Sequence, residues 1–431
     1  MIFRNLYIYT MLGVACIGTS QAYDFTKLLC SGDPFPGGGK VDSLTYPMLS
    51  NGTVILNAVC DLPDESAQIL GASLGSTTNI LFGTSTPIPG GMGNFETFSH
   101  TAFWNGKLLF SGTGSGDQSG IYTGMPGVLT KIADTNTPVP EANGATFVEF
   151  NPDSYQMGIN SVGNVAFTGM TYAENGPLTG VYRSSGNTLT RVADTTQYVP
   201  GSTTLFERLS NPTLTSTSTV FLGTGGSDSS TVGGLYESDF ATGTLSPVAL
   251  VGQMDPEGKA FELFSAPLAG GDRVAFVAEL ADGSRGLYYS ENGTLHTLVT
   301  TGMAIPGTDA LTASIAPAFS LNEKGDIVFQ LLDYDANPYI VAWLDGQFSL
   351  VADRDTLFDG QPPIDGSNSL GLGSYRFSGN ELAIYANTDR EPGVYITSLG
   401  TYTTAVPEPG TVALLGLGGI VGLVALCRRS R

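Results

Sequence analysis

The feature that most constrains the fold is a short hairpin that recurs along the chain. Its clearest copy is GVYRSSGNTLTRVADTT, residues 180–196. Two β-favouring runs, 180–182 and 189–193, flank a Ser-Ser-Gly-Asn turn, whose glycine and asparagine tolerate the positive φ of a tight reversal. A chain copied from such a unit is a repeat protein, in which each repeat packs mainly on its neighbours.

The repeat has a period of about 50 to 60 residues, the range of propeller blades. The second strand of the hairpin recurs seven times, at 25–30, 79–83, 129–134, 189–194, 245–251, 295–300 and 348–353. Between consecutive hairpins lies another pair of strand signals around a polar turn, as at 155–160 and 165–169. Four strands per repeat and no helical period predict an all-β fold, a seven-bladed β-propeller of four-stranded blades over residues 23–405.

The order of the strands predicts how the ring closes. The first strand of the body, 25–30, is of the type that ends a repeat, and the last, 393–396, is of the type that should precede it. The two termini are therefore expected to complete one blade between them, which removes exposed sheet edges. A link such as Pro87-Ile88-Pro89-Gly90 recurs between repeats and is expected to form the crossover from blade to blade.

The two ends of the chain carry signals that predict where the protein is delivered. Arg4, the apolar run 6–17 and Ser20-Gln21-Ala22 have the order of a secretory signal peptide, assigned to residues 1–22, with a membrane anchor as the alternative. The other end, 406–431, carries three parts in sequence: the motif Val406, Pro407, Glu408 and Pro409, the apolar run 411–427, and the basic cluster Arg428, Arg429 and Arg431. The apolar run is long enough for a single transmembrane helix with the arginines on the cytoplasmic side.

This tail resembles the PEP-CTERM sorting signal of Gram-negative bacteria. The resemblance implies recognition by an exosortase, a membrane cysteine transpeptidase. It also implies an inner-membrane intermediate and delivery to the cell surface, outer envelope or extracellular matrix, often in bacteria that make exopolysaccharide. A plain single-span anchor is the alternative, and whether the helix is cleaved or retained stays open. The body is similar to tandem-repeat propeller proteins that carry such tails.

Charge and cysteine content narrow the partners. The net charge of −21 repels phosphate backbones, which argues against nucleic acid. Cys16 falls in the signal peptide and Cys427 in the tail, so Cys30 and Cys60 remain in the body. In an oxidising compartment this pair predicts a disulfide, with two buried thiols as the alternative.

The sequence contains few groups of residues that resemble a catalytic or metal-binding site. His100 and His296 lie on different strand types far apart in sequence, which favours packing roles over catalysis. Residues 71–75 match G-x-S-x-G, but the strand–turn–helix context of a nucleophile elbow is not predicted. Asp333, Asp335 and Asn337 match the first three ligand positions of a calcium-binding loop. However, Pro338 and Leu344 stand where an EF-hand has glycine and glutamate. We therefore expect no cofactor or metal, with an irregular calcium loop as the alternative.

Two sets of residues recur at fixed repeat positions. Asp134, Asp194 and Asp353 end copies of the hairpin, and we interpret them as turn caps, with a ring of carboxylates at the channel as the alternative. A tyrosine recurs two residues after a strand glycine, and packing is favoured over a sugar-stacking platform; these residues are Tyr122, Tyr182, Tyr236, Tyr288 and Tyr395.

These patterns favour a non-catalytic, exported propeller that binds polysaccharide or envelope protein on one face of the ring. Two alternatives stay open. One is a hydrolase or lyase that acts on polysaccharide through carboxylates at the channel, for which sequence cannot show the required spacing. The other is a purely structural component of the envelope.

Overall fold

The structure is a computed structural model, and it describes the body of the chain. The described residues are 23–34, 39–44, 47–60, 68–73, 78–116, 118–152, 154, 156–174, 176–226, 232–364, 366, 369–372 and 376–400. For the strand residues 43, 57–60 and 68–73, only the backbone is described. The predicted signal peptide, 1–22, and the sorting segment, 406–431, lie outside the described residues.

The described strands form seven antiparallel sheets, which we call blades 1 to 7 in chain order. The chain begins with β1 (Thr26–Cys30), which belongs to the last sheet. Blade 1 has β2 (Val41–Leu44), β3 (Met48–Ser50), β4 (Thr53–Cys60), β5 (Gln68–Ser73) and β6 (Asn79–Gly83); blade 2 has β7 (Phe95–Trp104), β8 (Lys107–Gly114), β9 (Gln118–Gly124) and β10 (Thr130–Asp134); blade 3 has β11 (Glu149–Phe150), β12 (Gly158–Ile159), β13 (Val165–Ala173), β14 (Gly176–Ser185) and β15 (Thr188–Asp194).

The remaining blades continue in the same order. Blade 4 has β16 (Arg208–Leu214), β17 (Ser218–Gly225), β18 (Val232–Asp239) and β19 (Leu245–Leu250); blade 5 has β20 (Phe261–Phe264), β21 (Leu268–Gly270), β22 (Arg273–Leu280), β23 (Arg285–Glu291) and β24 (Thr294–Thr300); blade 6 has β25 (Ser314–Leu321), β26 (Ile327–Leu332), β27 (Pro338–Leu344) and β28 (Gln347–Ala352); blade 7 has β29 (Leu370–Gly371), β30 (Phe377–Ser378), β31 (Glu381–Asn387) and β32 (Pro392–Ser398), with β1 at its outer edge.

The innermost strands contact one another around a closed circuit. β3 contacts β7, and the contacts continue through β12, β16, β21, β25 and β30 back to β3. β1 pairs with β32 in the register Thr26↔Ile396 and Cys30↔Gly393, so the two ends of the body share blade 7. This closed ring of sheets is a β-propeller.

The predicted fold class is wrong in two respects. The blades are not uniformly four-stranded, because the innermost strand of blades 1, 3, 5 and 7 is broken into two segments and each of those sheets has five strands. The described residues also contain no helix, and therefore none long and apolar enough to cross a membrane. For the described residues, the fold class is corrected to an all-β ring of sheets with four or five strands. Residues 411–427, to which the transmembrane helix was assigned, lie outside the described part.

Antiparallel meandering gives the ring two distinct ends. The turn end holds the turns between first and second strands and between third and fourth strands. Several of these are two-residue turns with φ positive at both positions, as at Asn51-Gly52 (49° and 71°) and Asn105-Gly106 (48° and 70°). This is the type I′ geometry that matches strand twist in hairpins.

Hydrogen bonds join each blade to the next at the turn end. They run, from blades 1–2 round to blades 7–1, as Gly106 N to Ser50 Oγ, Asn105 Nδ2 to Ser161 O, Asn160 Nδ2 to Thr215 O, Ser216 Oγ to Asp272 Oδ1, Arg273 Nη1 to Gly325 O, Asn322 Nδ2 to Gly379 O, and Asn51 N to Ser378 Oγ.

The opposite, crossover end carries the links from one blade to the next. Each link begins with the same turn, in which a backbone N–H donates a hydrogen bond to the side chain three residues later; this occurs in all seven blades. The donors and acceptors are Cys30 to Asp33, Gly83 to Thr86, Asp134 to Thr137, Asp194 to Gln197, Leu250 to Gln253, Thr300 to Met303 and Asp353 to Thr356.

Candidate functional site

The repeated tyrosines are buried in the blades. In blades 2 to 5, each ring lies edge-on to a phenylalanine at the start of its own blade, for example Tyr182 against Phe147 with centroids 4.9 Å apart and planes at 87°. The ring also lies over the glycine two residues earlier, since a Cβ at Gly180 would be 2.9 Å from the Tyr182 hydroxyl. Burial raises the pKa of Tyr122 to about 12. The packing interpretation is confirmed, and these rings are not a sugar-binding platform.

The repeated aspartates are turn caps, as predicted. Asp134 Oδ1 accepts hydrogen bonds from the Asn136 amide (3.1 Å) and the Thr137 hydroxyl (2.7 Å), and Lys131 Nζ lies 2.8 Å from Oδ2. Asp194 has the same arrangement with Thr196 and Arg191. Asp353 accepts from the Asp355 amide and the Thr356 hydroxyl. The carboxylates end the outermost strands, so they do not ring the channel.

The two histidines lie in different blades and have different surroundings. His100 sits in an irregular stretch of β7 with φ of 47°, and its Nδ1 is 3.1 Å from the hydroxyls of both Ser99 and Ser111. Burial lowers its pKa, opposed by a hydrogen bond to the backbone of Ser154. His296 stacks on Tyr289 across β23 and β24, with centroids 4.8 Å apart. The two imidazoles therefore do not form one site.

Two described residues of a blade 3 loop, Ser154 and Gln156, contact blades 4 and 5. The loop leaves the innermost strand between β11 and β12. The Ser154 hydroxyl accepts a hydrogen bond from the Asn211 amide of blade 4 at 3.0 Å. Gln156 Nε2 reaches the Pro267 carbonyl of blade 5 at 2.5 Å. At the turn end, the channel mouth beside Trp104, Ser216 and Glu323 keeps a cavity of only about 40 Å³. Among the described residues that line this cavity, Glu323 is the one carboxylate, and it accepts hydrogen bonds from Ser378 Oγ and the Gly379 amide.

The predicted calcium loop is satisfied by its own groups. Asp333 Oδ1 accepts from the amides of Asp335 and Asn337, both at 2.9 Å, and Oδ2 accepts from Asn337 Nδ2 (2.9 Å) and the Tyr339 hydroxyl (3.0 Å). Burial raises the pKa of Asp333, but these hydrogen bonds outweigh it and the net pKa is lowered. Within the described residues, no three carboxylate, histidine or cysteine side chains are grouped for a metal ion.

Two other predicted positions are placed only in part. Ser73 of the G-x-S-x-G match ends strand β5, and residues 74–77 lie outside the described residues. Cys30 is a buried thiol that is free in the structure, and the Cys30–Cys60 disulfide stays a prediction because only the backbone of Cys60 is described. The thiol occupies the space beside Gly393 in its own blade, and burial raises its pKa. Cys60 pairs with Val41 in blade 1, and its side chain is outside the described part.

A cleft opens between blades 4 and 5 at the turn end. Its volume is about 440 Å³. Its lining is mainly hydroxyl, carboxylate and amide groups with a few aliphatic side chains: Thr215, Thr217, Ser218, Glu237, Pro247 and Val248 from blade 4, and Asp272, Val274, Ser290, Asn292 and Gly293 from blade 5. No lysine, arginine or histidine lines it. We call it the blade 4–5 cleft.

The carboxylates of this cleft are held by hydroxyl groups. Asp272 Oδ1 accepts a hydrogen bond from Ser216 Oγ, across the junction of the two blades, and Glu237 Oε1 accepts one from Ser246 Oγ at 3.3 Å. Neither forms a salt bridge with any described residue. Sequence reasoning missed the cleft, although one signal was available. Blade 4 turns on Ser216-Thr217, and blade 5 turns on Gly271-Asp272, where blades 1 and 2 have Asn-Gly.

The fold and the tail together define the class of protein: an exported β-propeller. The PEP-CTERM protein-sorting motif matches residues 405–429, which implies processing by an exosortase and sorting to the cell surface. The chain belongs to the family of unknown function DUF7453, whose model matches residues 17–338. No curated protein matches it.

Several solved propellers are similar to this chain at low identity. The β-propeller domain of the Trilobed protease from Pyrococcus furiosus is 10% identical, with 86% of this chain and 99% of that chain covered and a TM-score of 0.46. A puromycin-hydrolyzing peptidase of Mycobacterium tuberculosis is 10% identical, with coverages of 89% and 55% and a TM-score of 0.48, so this chain spans about half of its length. The six-bladed fungal lectin of Aleuria aurantia is 10% identical, with coverages of 70% and 93% and a TM-score of 0.33; the ring described above has seven sheets.

Proposed function

We propose that the mature body, residues 23–405, is a non-catalytic surface or matrix protein of a Gram-negative envelope that binds a neutral polysaccharide in the blade 4–5 cleft. The lining of that cleft carries the proposal. Oxygens of Glu237, Asp272 and the threonine and serine hydroxyls can accept hydrogen bonds from sugar hydroxyls, and Asn292 supplies both a donor and an acceptor. Pro247, Val248 and Val274 offer aliphatic surface for the C–H face of a sugar ring.

The negative charge of the protein and of the cleft favours neutral over anionic polysaccharides. The chain has a net charge of −21, and no base lines the cleft to offset Glu237 and Asp272. An anionic polymer would meet repulsion both at long range and at the site. A neutral, hydroxyl-rich chain avoids that repulsion and satisfies the acceptors.

The rival function, glycoside hydrolysis, requires a carboxylic acid whose pKa is raised so that it can protonate a leaving group. Four described carboxyl groups have a clearly shifted pKa, and all four are lowered: Asp134, Asp239, Asp282 and Asp333. None of them lines the blade 4–5 cleft. This favours binding without turnover.

The test is a binding titration of the body against neutral glucans and mannans, with alginate as an anionic comparator. We expect a neutral polymer to bind and alginate not to bind. Asp272→Asn should weaken binding at least about tenfold, the loss of roughly one charge-assisted hydrogen bond. The matched control is Asp345→Asn, an exposed acid at the turn end of blade 6. Tighter binding of alginate, equal binding by both variants, or release of new reducing ends would overturn the proposal.

A further inference from the structure

The two ends of the ring differ in their exposed apolar side chains. Of the sixteen large hydrophobic residues exposed in the described part, twelve lie at the crossover end. Ten of these twelve fall on blades 3 to 6 and their links, and we call six of them the apolar rim: Tyr198, Leu205, Val251, Met254, Leu263 and Met303. Tyr198, Met254 and Leu263 are each more than 60% exposed. Scattered apolar residues are normal on a surface, but their concentration on one end marks an interaction face.

The apolar rim contains a pocket between blades 4 and 5. It has a volume of about 200 Å³, and Leu222, Val251, Leu263 and Phe264 form much of its wall. Gly233 and Gly234 also line it, which leaves room that a side chain would fill. Such a pocket suits one or two inserted apolar side chains, the usual anchor of a protein contact.

The carboxylates beside the rim specify the charge of the partner. Five exposed acids occur near the start of the innermost strands of blades 1 to 5, and none forms a salt bridge within the described residues: Asp42, Glu96, Glu149, Glu207 and Glu262. Glu262 and Arg208 both line the rim pocket. Two of the bases at this end, Lys131 and Lys259, form ion pairs with Asp134 and Asp282.

We propose that the crossover end is a docking surface for a protein segment that combines apolar with basic side chains. The apolar residues fill the rim pocket, and the basic residues meet the free carboxylates. A lipid surface fits less well, because anionic headgroups would be repelled by the same acids. The glycan cleft proposed above lies at the opposite end of the ring, so the two surfaces are independent. A propeller with both would link a polysaccharide to an envelope protein.

The test uses residues 23–400, which contain all seven sheets and the closing pair β1–β32. Three fluorescent peptides of equal length serve as probes: Leu/Lys, Leu/Glu and Ser/Lys, measured by anisotropy at low and high salt. We expect the Leu/Lys peptide to bind at least tenfold more tightly than the others. Leu263→Ser should weaken it about tenfold at both salt concentrations. Glu262→Gln should weaken it at low salt only, because salt screens exposed charges.

Val128→Ser and Val162→Ser, exposed apolar positions at the turn end, are the matched controls and should leave binding unchanged. Unfolding midpoints check that every variant is folded. Equal binding of Leu/Glu and Leu/Lys, full binding by Leu263→Ser, or stronger binding to phosphatidylcholine vesicles than to any peptide would overturn the proposal. Asp272→Asn should not change peptide binding, so failure of the glycan site and failure of this surface are distinguishable.

Discussion

Tyrosine hydroxyls occupy one repeated position in the ring but do not have the same partners. The Tyr288 hydroxyl donates a 2.8 Å hydrogen bond to the buried carboxylate of Asp255. The Tyr182 hydroxyl is buried and has no hydrogen-bond partner among the described residues. The same substitution at the two sites therefore separates ring packing from hydrogen bonding.

We expect Tyr288→Phe to lower the free energy of unfolding by about 1–2 kcal/mol, since it leaves a buried acceptor without its donor. Tyr182→Phe removes no partner and should change stability by less than about 0.5 kcal/mol, or raise it. Urea unfolding of both variants measures this. Equal losses in the two variants would contradict the difference in partners.

The cap residue Asp134 should make stability depend on pH. Burial raises the pKa of this carboxyl, but hydrogen bonds from Lys131 and Thr137 outweigh it, and the net pKa is lowered. A lowered folded pKa contributes stability above the ordinary aspartate value near pH 4, and that stability is lost as the pH falls through the folded pKa. Asp134→Asn should therefore destabilise by roughly 1–2 kcal/mol at pH 7 and by progressively less below about pH 4.

Denaturant unfolding at pH 7, 5 and 3 measures the difference between wild type and Asp134→Asn. The exposed Asp345→Asn serves as the control and should show little difference at any of these values. A difference for Asp134→Asn that stays constant from pH 7 to pH 3 would mean that the carboxylate charge plays no part.

At the scale of single residues, the sequence predicts the role of a residue when that residue recurs at the same position in several repeats. The spacing of Gly180 and Tyr182 recurs because the ring lies over its own strand glycine, and the turn role of Asp194 recurs because every outer strand ends in the same turn. The surroundings of Cys30 were not predictable, because spacing in sequence does not show that its thiol faces Gly393 in blade 7.

At the scale of elements, we expect the stability of the ring to depend most on the closing strand pair β1–β32. Leu29 of β1 packs with Val394 and Ile396 of β32 and with Val54 of blade 1. Removing residues 23–31 should expose the edge of β32 and cost several kcal/mol, since loss of one buried leucine side chain alone costs about 2–5 kcal/mol. The shortened chain is expected to unfold at a markedly lower urea concentration.

A synthetic peptide of residues 23–34 added to the shortened chain should restore the unfolding midpoint, whereas a Leu29→Asp version of the peptide should not. Rescue by both peptides, or an unchanged midpoint without either, would show that β1 does not close the ring.

Local signals predict most elements but not their interruptions. Asn-Gly turns and short β-favouring runs depend only on neighbouring residues, so the strands of the hairpins can be predicted from the sequence. The break between β11 and β12 has a long-range cause, because Ser154 and Gln156 bind groups of blades 4 and 5. No local pattern shows those partners, which is why uniform four-stranded blades were expected.

At the scale of the whole molecule, a binding surface depends on which blades meet. Glu237 and Asp272 belong to different repeats and face one cleft only because blades 4 and 5 are neighbours in the ring. The sequence shows Asp272 in a turn that departs from the Asn-Gly of blades 1 and 2, but it does not show the cleft that Asp272 and Glu237 line. The apolar rim has the same origin, since its members come from four blades that share the crossover end.

Because β1 is the first strand of the body and β32 the last, blade 7 cannot form until nearly the whole body has crossed the membrane. Until then β1 has no partner, and the growing array keeps an open edge. Closure becomes possible only after Ser398 emerges, a few residues before the sorting motif begins at Val406. We therefore expect completion of the fold and emergence of the sorting motif to follow one another closely during export.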